Sequence, residues 1–230
     1  MRLLLVANSG KPYLAHCKDQ IFSFLKDSKK VGFVSAAPFL DPEEFFAKAK
    51  DALSGAPFEF VHLDLPRDPK KILAELDGVL VGGGNTYKLL KTLIEHDLIA
   101  PLRQRIKDGM PFGGWSAGAN IAGPTILTTN DWNVVGLSKF EALNLVPFNI
   151  NPHYLETDLT MAPHSETRDD RIAEYHKANR NAVFGIEEST MIRVEGKEFR
   201  VLGKGRVRVF RPGQSPVDFL TGQVIPPDLI

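Results

Sequence analysis

The sequence predicts an α/β fold: a mostly parallel sheet with helices on both faces, extended by a C-terminal antiparallel meander. Through the first half of the 230 residues, short apolar runs alternate with segments of helical periodicity, which is typical of parallel sheets. The apolar runs are unbroken, as expected for strands that are buried on both faces. Beyond residue 180, short apolar runs are separated by glycine-containing turns, which favours adjacent antiparallel strands.

The first half of the chain is predicted to alternate strands with helices. The predicted strands cover residues 3–7, 31–34, 58–65, 78–81 and 111–115. The predicted helices cover residues 12–24, a segment beginning at residue 41, and residues 85–95 and 98–107. The helix start at residue 41 has a clear local signal, because Asp41 is a good N-cap residue and Pro42 occupies the first helical position.

After Thr128 this alternation stops, and a loop region with several prolines leads to one further helix at residues 166–178. Short strands are predicted at residues 183–186, 191–194, 199–202 and 207–210. The segments 195–198 and 203–205 have the composition of hairpin turns, so we expect a meander that extends the same sheet. No linker or repeat interrupts the sequence, and a single domain spanning residues 1–230 is expected.

Composition and charge exclude several classes of protein. Lysine plus arginine (28) balance aspartate plus glutamate (28), so no overall positive field is available to bind nucleic acid or an anionic membrane. The single Cys17 rules out an internal disulfide. The apolar run at residues 3–7 is too short for a signal peptide, and no run reaches the ~20 residues of a membrane span. We expect a cytoplasmic monomer or homodimer.

The strongest functional signal is the segment GGWSAGAN at residues 113–120. It fits the G-x-S-x-G pattern of a nucleophile elbow, in which a strand ends, the chain turns sharply and a helix begins. Glycines tolerate the close backbone approach at such a turn. Ser116 would stand at the end of the strand, where N–H groups of the helix N-terminus could bind an oxyanion. A hydrolase with Ser116 as nucleophile is the first hypothesis.

A serine nucleophile needs a general base, and six histidines are available. His153 lies in a polar segment after the apolar run at residues 143–148, and loops at strand ends are where open α/β sheets place their sites. Position alone favours His153, and a histidine packed in an ordinary loop is the alternative. The other histidines are interpreted as helix, strand or loop residues: His16, His62, His96, His164 and His176.

A second glycine cluster, at residues 82–84, follows a predicted strand and precedes a helix. Phosphate-binding loops share this placement, but the cluster lacks the third glycine of G-x-G-x-x-G, and no G-x-x-x-x-G-K-[ST] occurs. We interpret Gly84 as an oxyanion donor together with Ala117, or else as part of a close turn that requires small residues. The sequence also lacks the residue spacings of zinc sites, so neither a cofactor nor a metal is expected.

Four motifs occur in a characteristic order: VGGGNT at 81–86, GWSAGAN at 114–120, TTND at 128–131 and INPH at 150–153. Together they closely resemble the peptidase E family of α-aspartyl dipeptidases, and the resemblance weakens beyond about residue 194. It implies a single catalytic domain with a fold related to class I glutamine amidotransferases. It also implies a serine peptidase that removes an N-terminal aspartate from Asp-X dipeptides.

The resemblance assigns roles to residues that match the motifs. Ser116 is expected to be the nucleophile, His153 the general base, and Gly84 and Ala117 the oxyanion donors. Three alternatives remain open. An esterase would require an H-G-G-G-type loop, which is absent; a glutaminase would require a cysteine nucleophile, whereas Cys17 is far from the elbow. A catalytically silent peptide-binding domain would be expected to lack a member of the triad.

The resemblance leaves two candidates for the acid of the triad, Asp131 and Glu188. We favour Glu188, because it would project from the end of a strand, where a buried carboxylate could fix the imidazole tautomer. Glu187 stands where the family often has proline, so either glutamate of this pair could fill the role. Asp131 would then shape the site or bind the substrate amine.

Recognition of the β-carboxylate of an aspartyl substrate requires a cation, ideally a guanidinium. The sequence ETR at residues 166–168 resembles a stretch of the family. Arg168 is therefore the expected contact, Arg171 a helper and Asn85 a further substrate-binding residue. The alternative is that both arginines pair with the acids at residues 166, 169 and 174 on a solvated helix face.

Overall fold

The computed structural model describes residues 1–63, 65, 67–156 and 166–230. The strands in this part of the chain are β1 (Arg2–Val6), β2 (Lys30–Val34), β3 (Glu59–His62), β4 (Gly78–Val81), β5 (Phe112–Trp115), β6 (Asn149–Tyr154), β7 (Val183–Glu187), β8 (Thr190–Glu195), β9 (Glu198–Gly203), β10 (Arg206–Phe210), β11 (Val217–Leu220) and β12 (Val224–Ile225). The helices are α1 (Lys18–Phe24), α2 (Pro42–Ala52), α3 (Pro69–Ala74), α4 (Thr86–Glu95), α5 (Ile99–Lys107), α6 (Ala117–Asn120) and α7 (Arg168–Ala178). None of the described helices has the length and apolar character needed to cross a membrane.

The main sheet has the strand order β12-β9-β8-β1-β5-β4-β2-β3. Strands β1 to β5 run parallel, whereas β8, β9 and β12 are antiparallel to their neighbours. The side chains of β1 alternate between two apolar layers. Leu3 and Leu5 lie in the layer with α4 and α5, and Leu4 and Val6 lie in the layer with α1 and α2. Helices therefore cover both faces, and the predicted α/β class is confirmed.

A second sheet has the strand order β11-β10-β7-β6, in which only β6 and β7 are parallel. Phe148 joins it to the main sheet, because its ring stacks on Phe184 of β7 at 3.7 Å and meets Phe199 of β9 edge-on at 5.8 Å. Between β7 and β8, the chain passes from the second sheet to the main sheet through Glu188 and Ser189 alone. This short link lies at the candidate site.

The C-terminal meander extends the main sheet in part. Strands β8 and β9 form the predicted hairpin through residues 195–198, and β12 adds to their edge. The hairpin predicted at residues 203–205 is wrong, because β9 belongs to the main sheet whereas β10 pairs with β7 and β11 in the second. Strand periodicity is the same in either sheet, so the sequence pattern could not distinguish them.

Other segments also differ from the prediction, which did not include α3, β11 or β12. Residues before Lys18 form turns rather than helix, since Leu14 has a left-handed φ of +59°. Strand β6 forms where a polar loop was expected. Its Asn149 and Asn151 are buried because their side-chain amides donate to backbone carbonyls of the segment 125–128. Those bonds allow a polar sequence to occupy a buried strand.

Candidate active site

Ser116 lies between β5 and α6, at the sharp turn that the glycine pattern predicts. Its backbone has φ +53° and ψ −113°, and its N–H donates to the carbonyl of Val6 at 3.0 Å. A Cβ at Gly114 would lie 2.3 Å from the carbonyl oxygen of Gly118, and one at Gly118 would lie 2.2 Å from that of Val81. The flanking glycines are therefore required by close backbone contacts, and the turn presents the Ser116 hydroxyl at the end of the strand.

His153 is brought to Ser116 by an irregularity in β6. The pairing of β6 with β7 shifts register between Pro152 and Tyr154, and His153 has a left-handed φ of +54°. This bulge re-aims the side chain. His153 Nε2 lies 2.8 Å from Ser116 Oγ. The Asn130 side chain donates to the carbonyl of Pro152 at 2.6 Å and so holds the bulge from outside the strand.

Glu188 lies on the other side of the imidazole. Its Oε1 is 2.9 Å from His153 Nδ1. A neutral imidazole with its proton on Nδ1 donates to this carboxylate and accepts from the Ser116 hydroxyl, so both contacts select one tautomer. The expected burial of this acid is wrong, because the Glu188 side chain is 63% exposed. It sits in the link between two strands rather than inside the sheet.

The other two candidate acids are engaged elsewhere. Glu187 binds Arg206, with Oε1 2.8 Å from Nε and Oε2 accepting from the backbone N–H at 3.1 Å. Asp131 Oδ2 accepts from the N–H of Thr86 at 2.7 Å, from its hydroxyl at 2.6 Å and from the Thr129 hydroxyl at 3.1 Å. These contacts make Asp131 a cap for the N-terminus of α4. Within the described chain, neither acid contacts His153.

The two expected oxyanion donors flank Ser116. Gly84 has φ +143°, and a Cβ there would lie 2.5 Å from the backbone nitrogen of Pro38. The preceding Gly83 packs against the nucleophile, because a Cβ at this residue would lie 3.0 Å from Ser116 Cβ. Ala117 is the first residue of α6, where backbone N–H groups have no acceptor within the helix. Gly84 thus follows a residue that touches Ser116, and Ala117 follows Ser116 directly.

Arg168 lies at the start of α7 and is connected to the site through Asn130. Its Nη1 donates to Asn130 Oδ1 at 2.5 Å, and the same oxygen accepts from Asn151 at 2.8 Å. Arg168 and Arg171 line a pocket of about 380 Å³. Burial lowers the pKa of Arg168, and the positive charge of Arg171 lowers it further. A carboxylate in this pocket would offset both effects, because a negative charge stabilises the charged guanidinium.

The other two predicted binding residues are already bonded within the chain. Arg171 Nε is 2.7 Å from Glu166 Oε2 on a solvated face. This pair matches the alternative prediction, in which the arginine binds a neighbouring acid at the surface. Asn85 caps α4 by accepting from the N–H of Lys88 at 2.9 Å, and its amide donates to the carbonyl of Trp132 at 2.9 Å. Asn85 therefore orders the loop beside the site, and Arg171 contributes its charge to the Arg168 pocket.

The remaining described histidines do not contact Ser116. His62 Nε2 lies 2.7 Å from Ser35 Oγ, and its Nδ1 lies 3.1 Å from Glu43 Oε1, which forms a second serine-histidine-glutamate chain. Ser35 is only 4% exposed, so this chain is closed to a substrate, and His62 is the satisfied strand residue that the sequence suggested. Burial lowers the pKa of both His16 and His176. His96 ends α4, and His164 lies outside the described residues.

Sequence reasoning missed two polar residues of this site, Asn130 and Asn8. Asn130 belongs to the TTND motif, in which Asp131 was the candidate for the triad acid. Asn8 lies two residues beyond the end of β1, and its amide donates to Glu188 Oε2 at 2.5 Å. Its position at the carboxyl end of a parallel strand was the available signal, because such ends converge on one edge of the sheet.

An α/β fold with a serine-histidine-glutamate chain behind a nucleophile elbow defines a serine hydrolase. The chain belongs to peptidase family S51, whose model matches residues 3–202. This match confirms the peptidase family that the four motifs indicated, and with it the expectation of an enzyme.

Curated relatives match almost the whole chain. It is 38% identical over 225 residues to a protein named peptidase E from Streptomyces coelicolor, covering 96% of this chain and 92% of the relative. It is 39% identical over 215 residues to a protein named probable alpha-aspartyl dipeptidase from Drosophila melanogaster, covering 91% and 89%.

Two solved structures share the fold. A peptidase from an acI-B1 actinobacterium superposes with a TM-score of 0.71 at 17% identity, covering 97% of this chain and 96% of that one. A putative peptidase E from Listeria monocytogenes gives a TM-score of 0.66 at 24% identity, covering 88% and 98%. At these identities the likeness supports the fold alone.

Proposed function

We propose that this peptidase is a serine dipeptidase that hydrolyses Asp-X dipeptides with a free N-terminal aspartate. The observation that carries the proposal is the hydrogen-bonded chain from Ser116 through His153 to Glu188, with distances of 2.8 and 2.9 Å. The names of the relatives, peptidase E and probable alpha-aspartyl dipeptidase, support this substrate. Glu188 is assigned as the acid because it contacts His153, whereas Asp131 caps α4.

The reaction proceeds through an acyl-enzyme. His153 Nε2 takes the hydroxyl proton as Ser116 Oγ bonds to the scissile carbonyl carbon, and the N–H groups of Gly84 and Ala117 bind the oxyanion. The C–N bond then breaks, and His153 gives its proton to the leaving amine of residue X. Water attacks the aspartyl ester with His153 again as base, which releases aspartate and frees Ser116. Glu188 stabilises the imidazolium in both steps.

We further propose that residues 1–230 form one catalytic domain, since Ser116 follows a strand of the main sheet and His153 lies in a strand of the second sheet. A cytoplasmic location fits a chain with one cysteine, Cys17, which is buried and free. A monomer or a homodimer is proposed, with no cofactor or metal.

A dipeptide panel tests the proposed substrate. Asp-Leu should be cleaved with a kcat/KM at least about 100-fold above that of Glu-Leu, Leu-Leu and N-acetyl-Asp-Leu. Each analogue tests one feature of the substrate. Glu-Leu has a longer acidic side chain, Leu-Leu has no side-chain carboxylate, and N-acetyl-Asp-Leu has no free amine. The measurement is release of the N-terminal residue by chromatography. Equal release from all four would contradict an aspartyl dipeptidase and favour a peptidase of different specificity.

Arg168 is proposed to bind the β-carboxylate of the substrate, because it is a partly buried cation in a pocket beside the site. The Arg168→Met variant should lose about 100-fold in kcat/KM for Asp-Leu, with little change for Leu-Leu. Arg171→Met is the matched control and should have a smaller effect, since Arg171 pairs with Glu166 at the surface. An Arg168→Met enzyme that keeps the wild-type preference would remove this assignment.

A further inference from the structure

Glu188 requires a second contact to hold its orientation. The side chain is 63% exposed, and a solvated glutamate samples several rotamers unless it is held at more than one point. His153 binds Oε1 alone. A contact to Oε2 would fix the plane of the carboxylate and keep Oε1 directed at the imidazole.

Asn8 supplies this contact. Its side-chain Nδ2 donates to Glu188 Oε2 at 2.5 Å, and its Oδ1 accepts from the N–H of Ser189 at 3.0 Å. Because the Ser189 N–H can only donate, it requires the amide oxygen on its side and leaves the NH₂ group facing the carboxylate. Asn8 is 5% exposed, so no solvent position competes for its amide. The orientation of the Asn8 side chain is thus determined.

The surroundings of Asn8 are rigid and also hold the nucleophile. Ser189 has a left-handed φ of +59°, and a Cβ at Gly203 would lie 2.1 Å from its carbonyl oxygen, so this link is closely packed. Two residues before Asn8, the carbonyl of Val6 accepts from the Ser116 N–H at 3.0 Å. Residues at the carboxyl end of β1 therefore bind both Ser116 and Glu188, the two residues that His153 connects.

We propose that Asn8 is a positioning residue that aligns Glu188 on His153. The inference rests on the proposed function, since it assigns Glu188 as the acid. Asn8 bonds to Glu188 and Ser189 rather than to a reacting atom, so its effect on the reaction passes through Glu188. Its removal should lower the rate of the chemical steps and leave substrate binding unchanged.

A double-mutant cycle tests the inference. Asn8→Leu and Asn8→Asp are each made in the wild type and in Glu188→Ala, and kcat and KM for Asp-Leu are measured at pH 8. In the wild type, Asn8→Leu should lower kcat about tenfold or more with KM changed less than about twofold. Asn8→Asp keeps an acceptor for Ser189 but loses the donor to Glu188, so it should also lose activity. In Glu188→Ala, Asn8→Leu should change kcat less than about twofold.

Asn149→Leu is the matched control, because Asn149 is an equally buried amide that binds Thr125 instead of the acid. Its effect should be the same in both backgrounds. The rate of covalent labelling by a fluorophosphonate is measured on every variant, so the cycle can be evaluated even if Asp-Leu is not the substrate. An Asn8→Leu loss of equal size in both backgrounds, or wild-type activity in Asn8→Asp, would overturn the inference. Wild-type labelling of Glu188→Ala would overturn it together with the assigned acid.

Discussion

Replacing Ser116 with alanine should lower kcat for Asp-Leu by about 10⁴-fold or more, because neither proton transfer to His153 nor an acyl-enzyme is then possible. The substitution removes only Oγ, so the folded structure should survive in a turn that already holds a non-glycine residue at φ +53°. Aspartate release measures the effect, and thermal unfolding should give a Tm close to that of the wild type.

Ser35 provides a control that is matched in chemistry. Ser35 Oγ lies 2.7 Å from His62 Nε2, and His62 Nδ1 lies 3.1 Å from Glu43 Oε1, so Ser35 has the same types of partner as Ser116. Ser35 is buried, however. A fluorophosphonate should label the wild type and Ser35→Ala to the same extent, and should not label Ser116→Ala. Labelling of Ser116→Ala, or loss of turnover in Ser35→Ala, would show that the elbow serine is not the nucleophile.

The comparison of the two serines shows how far the sequence could predict the site. The glycines around Ser116 report a strained turn, because Gly114 and Gly118 leave no room for a Cβ. Because this constraint is local, the glycine pattern of a single sequence is enough to predict the turn. Ser35, His62 and Glu43 carry no such signature, although their hydrogen bonds have the same order. A serine-histidine-glutamate chain can act as a site only if a substrate can reach the serine. Whether the serine is accessible depends on the packing of segments that are distant in sequence.

Long-range contacts account for what the sequence missed. Strand β6 was read as a loop because Asn149 and Asn151 are polar, and only their bonds to residues 125–128 explain their burial. Asn8 and Asn130 bind residues that lie 180 and 22 positions away, and the local sequence around either asparagine does not indicate its partner. The proposed relation of the fold to class I glutamine amidotransferases stays a prediction.

The two candidate acids should respond very differently to neutral substitution. Glu188→Gln should lower kcat about 100-fold or more, because the amide cannot neutralise the imidazolium that forms on His153, and it can present its NH₂ group to Nδ1 and select the wrong tautomer. Asp131→Asn should change kcat less than about tenfold. Its main effect should be on stability, because Asp131 accepts three hydrogen bonds at the N-terminus of α4. Its negative charge also interacts favourably with the positive end of the helix dipole.

The measurements are kcat for Asp-Leu and the midpoint of thermal unfolding for each variant. Glu188 is largely exposed, so Glu188→Gln should unfold at nearly the wild-type temperature, and its loss of activity cannot then be attributed to misfolding. Asp131→Asn should unfold at a lower temperature, since a capping contact is worth about 1 kcal/mol. The opposite pattern, with turnover abolished in a stable Asp131→Asn enzyme and retained in Glu188→Gln, would move the triad acid to Asp131. The 2.9 Å contact between His153 and Glu188 would then be a surface pair without a role in catalysis.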